Sequence, residues 1–184
     1  MHKVKHNTKR LITSIKWVIF SIVVGIVAGS CGTAFYFALS VVTDFRMKYP
    51  WLIYFLPIGG LAIVGLYHLC KDDNDTGTNL VISAIHSGDK VPFIMAPLIF
   101  VSTLITHLFG GSAGREGAAL QMGGSIGSSI GRVFRFDEKD KHVMIMCGMS
   151  AAFAALFGTP MAAAVFSMEM VSVGAVSYTH LTLP

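Results

Sequence analysis

The feature that most constrains this chain is an uncharged apolar run from Val18 to Val42, set within a hydrophobic segment that begins near Leu11. About 20 apolar residues suffice to cross a bilayer as a helix, so a segment of this length must tilt or extend beyond the hydrocarbon. It is too long for the core of a signal peptide, and no small-residue cleavage site closes it. A retained spanning helix is therefore expected. Composition agrees, since 53% of the 184 residues are hydrophobic and only 13% are charged, against about a quarter in soluble domains. Lys3, Lys5, Lys9, Arg10 and Lys16 stand before or just inside the first segment. Cations flanking a span mark its cytoplasmic side, so the formal net charge of +4 is read as topology rather than nucleic-acid binding. Cys31, Cys70 and Cys147 share no metal-ligand spacing and are expected as free thiols in apolar surroundings.

Asp44, Arg46 and Lys48 are expected to form a polar turn, after which Trp51 and Tyr54 open a second apolar segment that runs to Cys70. Aromatics at that point fit an interfacial belt. The polar cluster Lys71, Asp72, Asp73, Asn74 and Asp75 ends this segment on the side where the chain began. Beyond it the apolar runs shorten and glycines interrupt them, from Leu80 to Ile85, Ala96 to Phe109, Ala118 to Ile130, Val143 to Phe157 and Met161 to Val173. Irregular backbone at membrane depth survives only where it is buried in protein or lines a watery cavity, so broken helices point to a permeation path. Gly25 and Gly29, and Gly123, Gly127 and Gly131, recur at four-residue spacing. Such small faces let helices approach closely in lipid, and they are read as packing surfaces with no ligand. The expected fold class is an all-α integral membrane bundle of short, broken and tilted helices. Residues 1–10 are read as a basic cytoplasmic N-terminus and 11–176 as the membrane domain. Residues 177–184, reading SYTHLTLP, are set aside as a non-native or truncated tail, an ordinary polar loop being the alternative.

The segment richest in chemistry runs from Gly110 to Gly124 and holds Arg115 and Glu116 amid glycines and apolar residues. Glycines on both sides of the charged pair allow an irregular turn that enters a new helix near Glu116. A helix N-terminus exposes unpaired N–H groups and a partial positive charge, a ready anion site. A carboxylate placed there competes with a bound anion for the same donors, and protonating it vacates the site. A phosphate-binding loop is the obvious rival, but the run lacks the Lys-Ser/Thr pair that such a loop requires. The bland alternative is that Arg115 and Glu116 pair with each other or with another helix. Ionisable residues inside a membrane are costly enough that function is the default reading.

Gly114-Arg115-Glu116-Gly117 followed by Gln121-Met122-Gly123-Gly124 resembles the G-[KR]-E-G-P…Q-x-G-G signature of the CLC family of chloride channels and proton-coupled halide exchangers. The downstream stretch Ala151 to Glu169, with Gly158-Thr159-Pro160 before Met161, is similar to that family's next helix pair. The resemblance implies the N-terminal half of an inverted-repeat membrane fold, a homodimer in the full-length protein, and a halide ion as the transported species. No further cofactor is implied. It makes Glu116 the external gating glutamate, with backbone amides around Gly114, Arg115, Gly117 and Ala118 helping to hold the anion. Asp75-Thr76-Gly77-Thr78-Asn79 occupies the place of the family's G-S-G-I-P turn, which puts Thr76 and Gly77 at the anion; capping by Thr76 and Asn79 of a helix beginning at Leu80 explains Thr76 equally well.

Three departures from the pattern matter. The motif's proline is Ala118, the G-S-G-I-P turn is altered as in the fluoride-exporting branch, and Met170 aligns with the internal proton-transfer glutamate of the exchangers. A methionine carries no proton, so a passive channel or another proton route is implied. Glu169 matches a second family carboxylate and is a candidate for a structural pair or a proton pathway. His107, in an apolar run, is a candidate relay, although a histidine satisfied by a neighbouring carbonyl is the commoner case. The function expected is anion transport across the plasma membrane, with chloride first and fluoride/proton antiport as the alternative. From other classes, a membrane-embedded enzyme would use Glu116 and His107 as an acid/base pair, and a scaffold would need neither.

Overall fold

The structure, a computed structural model, describes the backbone of residues 2–70, 80–81 and 91–181, with side chains from 13 to 170 within those limits. Thr76, Gly77 and His86 lie outside the described residues. Among the described residues the regular structure is helical, as expected. α1 spans His2–Lys48, a short 3-10 helix spans Pro50–Phe55, and α2 spans Leu56–Leu69. After Leu80 and Val81, which are helical, come α3 (Met95–Leu108), α4 (Arg115–Val133), α5 (Glu138–Phe157) and α6 (Pro160–Leu181).

The polar turn expected at Asp44 to Lys48 is not there, because α1 runs through it to Lys48. Charged side chains alone do not stop a helix. Pro50, which lacks an N–H and biases Tyr49 away from helical angles, does. Tyr49 accordingly leaves the helix with φ −126° and ψ 74°. The stretch Thr13–Lys48 holds 36 residues, about 54 Å of helix at 1.5 Å per residue, against a hydrocarbon layer of about 30 Å. A steep tilt or emergence from the bilayer is required. Thr13–Lys48, Pro50–Leu69 and Glu138–Phe157 are long and apolar enough to cross a membrane, while Met95–Leu108 is apolar but short. The mixture of long and short helices matches the sequence expectation, and the backbone of α6 continues to Leu181.

Helix ends follow local chemistry. α3 closes with Gly110 at φ 80°, its N–H donating to His107 O at 3.2 Å while Gly111 N–H donates to Thr106 O at 2.8 Å. That pair of bonds is the Schellman motif, and glycine adopts the left-handed angle at no steric cost. α4 ends the same way on Arg135 at φ 53°, with Arg135 N–H to Arg132 O and Phe136 N–H to Gly131 O. Asp137 then caps α5, its Oδ1 accepting from Asp140 N–H at 3.0 Å.

α5 packs against α1, α4 and α6. Glycines set how closely it meets α4. A Cβ on Gly123 would strike Gly148 O, one on Gly127 would strike Met144 O, and one on Gly131 would meet Lys141. The partner number falls as the α4 number rises, so the two helices are antiparallel. Gly25 and Gly29 do not form the packing face expected of them, for nothing lies within 4 Å of an added Cβ at either. Gly32 makes the close approach instead, with Ala152 O 2.8 Å from its virtual Cβ. Gly25 borders an open groove beside α5 and α6. Four-residue spacing marks a smooth face but not what covers it.

Polar side chains on the helices bond to their own backbone. Ser102 Oγ donates to Ile99 O, Thr106 Oγ1 to Ser102 O and Ser167 Oγ to Ala163 O, as a medium without water demands. Two bonds reach farther: Ser125 Oγ donates to Pro92 O at 2.7 Å and Arg132 Nη2 to Val91 O at 2.6 Å. They tie α4 to the segment that enters α3. The three cysteines are free, as expected.

Candidate functional site

The turn between α3 and α4 is wedged against the corner of the first hairpin. Phe109 lies over Gly59, where a Cβ would stand 2.5 Å from the Phe109 ring. Gly110 faces Arg46 and Ile53, and Gly111 faces Leu56 and Thr106. With its floor fixed, the chain leaves through Gly114 at φ −70° and ψ 123° and turns into α4 at Arg115. Glu116 is thus the second residue of a 19-residue helix. The sequence placed a helix start at this point, and the structure has it there.

No side chain caps α4, so its first N–H groups lack both intrahelical partners and a capping oxygen. Together with the helix dipole they give this end partial positive character. Space is open around Gly114, where an added Cβ meets nothing within 4 Å. Arg115 and Glu116 are exposed, Gly117 is half-buried and Ala118 is buried at 6%. Among the described residues neither Arg115 nor Glu116 forms an ion pair. As sequence neighbours on a helix they do not face one another. The simple pairing alternative finds no support among the described residues, where neither the carboxylate nor the first backbone donors of α4 have a partner.

Gly114, Arg115, Glu116, Gly117 and Ala118 fall on one turn, whereas the other candidates lie apart. His107 is half-buried in the last turn of α3, its Nδ1 2.9 Å from Thr103 O. That is the locally satisfied histidine. Glu169 lies nine residues into α6, about 13 Å along its axis from Pro160, exposed at the edge of a groove of about 530 Å³ that Phe153 and Phe166 also line. It forms no ion pair among the described residues, so the structural pair suggested for it is not seen there. Met170 packs against the main hydrophobic cluster.

One residue escaped the sequence reading. Arg46, taken as part of a turn, is half-buried, with Nη1 3.2 Å from where a Gly110 Cβ would sit. It brings a cation to the turn that launches α4. An arginine at the end of a long apolar helix, just before Tyr49 and Pro50, was the available signal.

Comparison with known proteins bears on the family and the fold. The family described as Voltage gated chloride channel matches residues 59–183. A Chloride/fluoride channel protein of Pseudomonas syringae pv. tomato is 41% identical over 167 residues, covering 90% of this chain and 37% of the relative. The H(+)/Cl(-) exchange transporter ClcA of Cronobacter sakazakii is 30% identical over 170 residues, covering 79% of this chain and 34% of the relative. Among solved structures, a CLC-type fluoride/proton antiporter superposes with a TM-score of 0.76 at 35% identity, covering 90% of this chain and 47% of that one. The chain thus spans between a third and a half of the length of these relatives. Its helical fold, its glycine-flanked Glu116 turn and these matches agree, and the chain belongs to the voltage-gated chloride channel (CLC) family.

Proposed function

We propose that this chain is the N-terminal half of a transmembrane halide transporter in which Glu116 is a protonatable gate. The observation that carries the reading is the Glu116 carboxylate, without an ion-pair partner among the described residues, in the first turn of the uncapped α4, at a turn pinned by Phe109, Gly110 and Gly111. An anion at that helix start takes hydrogen bonds from backbone N–H groups around Gly114, Arg115, Gly117 and Ala118, with no full countercharge to trap it. The ionised carboxylate has the anion's sign and competes for those donors. Protonation removes the competition.

Thr76 and Gly77 supply further anion contacts in this reading, and a second half completes the pore in a homodimer. The basic N-terminus lies in the cytoplasm of a cell whose plasma membrane holds the protein. The geometry gives this topology support, because Lys16, Arg132, Arg135, Lys139 and Lys141 gather at the end of the bundle opposite Glu116, through the contacts of Lys16 with Phe136 and of Gly131 with Lys141.

The halide is the finer question. Chloride stood first on the sequence, but identity is higher to the chloride/fluoride channel protein and the fluoride/proton antiporter, at 41% and 35%, than to the chloride/proton exchangers, at 26% to 30%. Fluoride therefore takes first place. Proton coupling then rests on Glu116, since Met170 carries no titratable group, with His107 and Glu169 as secondary candidates. The test is halide efflux from liposomes holding the complete polypeptide. Fluoride efflux that outpaces chloride and drives proton entry supports antiport; chloride efflux with no proton movement returns the reading to a chloride channel; no halide efflux at all sinks both.

A further inference from the structure

Two grooves on the outside of the bundle run into one another between α1, the start of α3 and α4, sharing Val27, Phe93 and Ile126. The inner groove, of about 360 Å³, is walled by Cys31, Ala96 and Phe100. The outer groove, of about 420 Å³, ends at Ser129, Arg132 and Phe134. From Phe93 to Val101 the joint channel follows α3 for about 12 Å. One leaflet's hydrocarbon depth is about 15 Å. The walls are almost wholly hydrocarbon until the outer end, where Ser129 Oγ is shielded from solvent and has no hydrogen-bond partner.

Charge and aromatic rings collect at that same end. Phe134 meets Phe20 at 4.9 Å between centroids, and Phe20 meets Phe136 at 4.7 Å. Lys16 Nζ stands 4.8 Å from the Phe136 ring centre. Three carboxylates are nearby, but Asp137 caps α5 and Glu138 pairs with Lys141 at 2.7 Å, leaving Asp140 as the one without an assigned task. Lys16 and Arg135 have no carboxylate partner among the described residues. Arg132 gives one N–H to Val91 O and keeps others free.

We propose that this groove holds an acyl chain of an anionic phospholipid whose phosphate lies against Lys16, Arg132 and Arg135. An apolar channel of one leaflet's depth suits a lipid tail. Cations beside interfacial rings at its mouth suit a phosphate in a headgroup of net negative charge rather than a zwitterionic one, whose own ammonium they would repel. The proposal rests on the chain lying in a bilayer and not on the role of Glu116.

The test uses the complete polypeptide in a nonionic detergent, titrated with phosphatidylglycerol or phosphatidylcholine of matched chains, with bound lipid counted by native mass spectrometry. Phosphatidylglycerol should bind preferentially, and the Lys16→Gln/Arg135→Gln double variant should bind it about thirtyfold more weakly, given what each cation near an anionic lipid contributes. Both positions are exposed, so the variant should fold. Val27→Trp, which fills the channel from its lipid-facing wall, should displace the lipid while leaving the headgroup cations in place. Equal binding of the two lipids, or unchanged affinity in the double variant, overturns the headgroup site. Full retention in Val27→Trp overturns the acyl channel.

Discussion

The two ends of α4 are built on opposite terms. From Ala118 to Ser128 the helix is buried except at the half-buried Gln121, while Arg115 and Glu116 at its start are exposed and form no ion pair among the described residues. In the buried stretch Gly123 and Gly127 let the backbone of α5 approach to a distance that a Cβ would forbid. Five glycines in a 19-residue helix would be a poor choice in water, where each costs about 1 kcal/mol relative to alanine. In lipid the backbone must bond internally whatever the side chains are, so glycine is free to serve packing. The difference teaches that α4 is held by its middle and far end, which leaves the side chains of Arg115 and Glu116 without a structural contact among the described residues, as the proposed gate requires.

If that division is right, substitutions in the middle should damage the fold and substitutions at the start should not. The largest effect is expected for Gly123→Leu. Its Cβ would collide with Gly148 O, which is backbone and cannot swing aside. A loss of about 3 kcal/mol or more, seen as loss of monodisperse protein or a large drop in thermal midpoint in detergent, is expected. Arg132→Gln comes next. It removes the charged bond to Val91 O and should cost about 1.5 to 3 kcal/mol, read by the same melt. Should Gly123→Leu melt like the parent, the glycine contact does not hold α4.

A finer comparison lies within α1. Gly32→Ala meets Ala152 O at 2.8 Å and should destabilise by about 1 kcal/mol or more, whereas Gly25→Ala meets nothing within 4 Å and should change the melt by less than about 0.5 kcal/mol. Equal effects at both would mean that helix packing does not distinguish them. A gain rather than a loss is expected at Arg135, a non-glycine residue at φ 53°. Arg135→Gly should raise stability by about 0.5 to 1 kcal/mol, since glycine takes that angle freely.

Much of this was legible in the residues. The uncharged run from Val18 to Val42 announced a membrane helix, and the glycines around Arg115 and Glu116 announced a turn and a helix start where one is found. What could not be read was which faces meet. Gly25 and Gly29 have the same spacing as Gly123 and Gly127 yet touch nothing, because a helix repeat fixes a face and not its partner. The charges at Asp44 to Lys48 looked like a break, but only Pro50 removes the backbone donor that a helix needs. Arg46 lies beside Gly110 and Arg132 bonds to Val91 O, neighbours far off in sequence, a relation that no local pattern encodes.

The most direct measurement is the pH dependence of halide efflux from liposomes containing the complete polypeptide, with and without Glu116→Gln. The exposed, unpaired side chain makes the variant fold with a thermal midpoint close to the parent's. The expected result is that parent flux changes with pH while variant flux is independent of pH. An unchanged pH profile in Glu116→Gln would contradict the assignment of Glu116 as the gate.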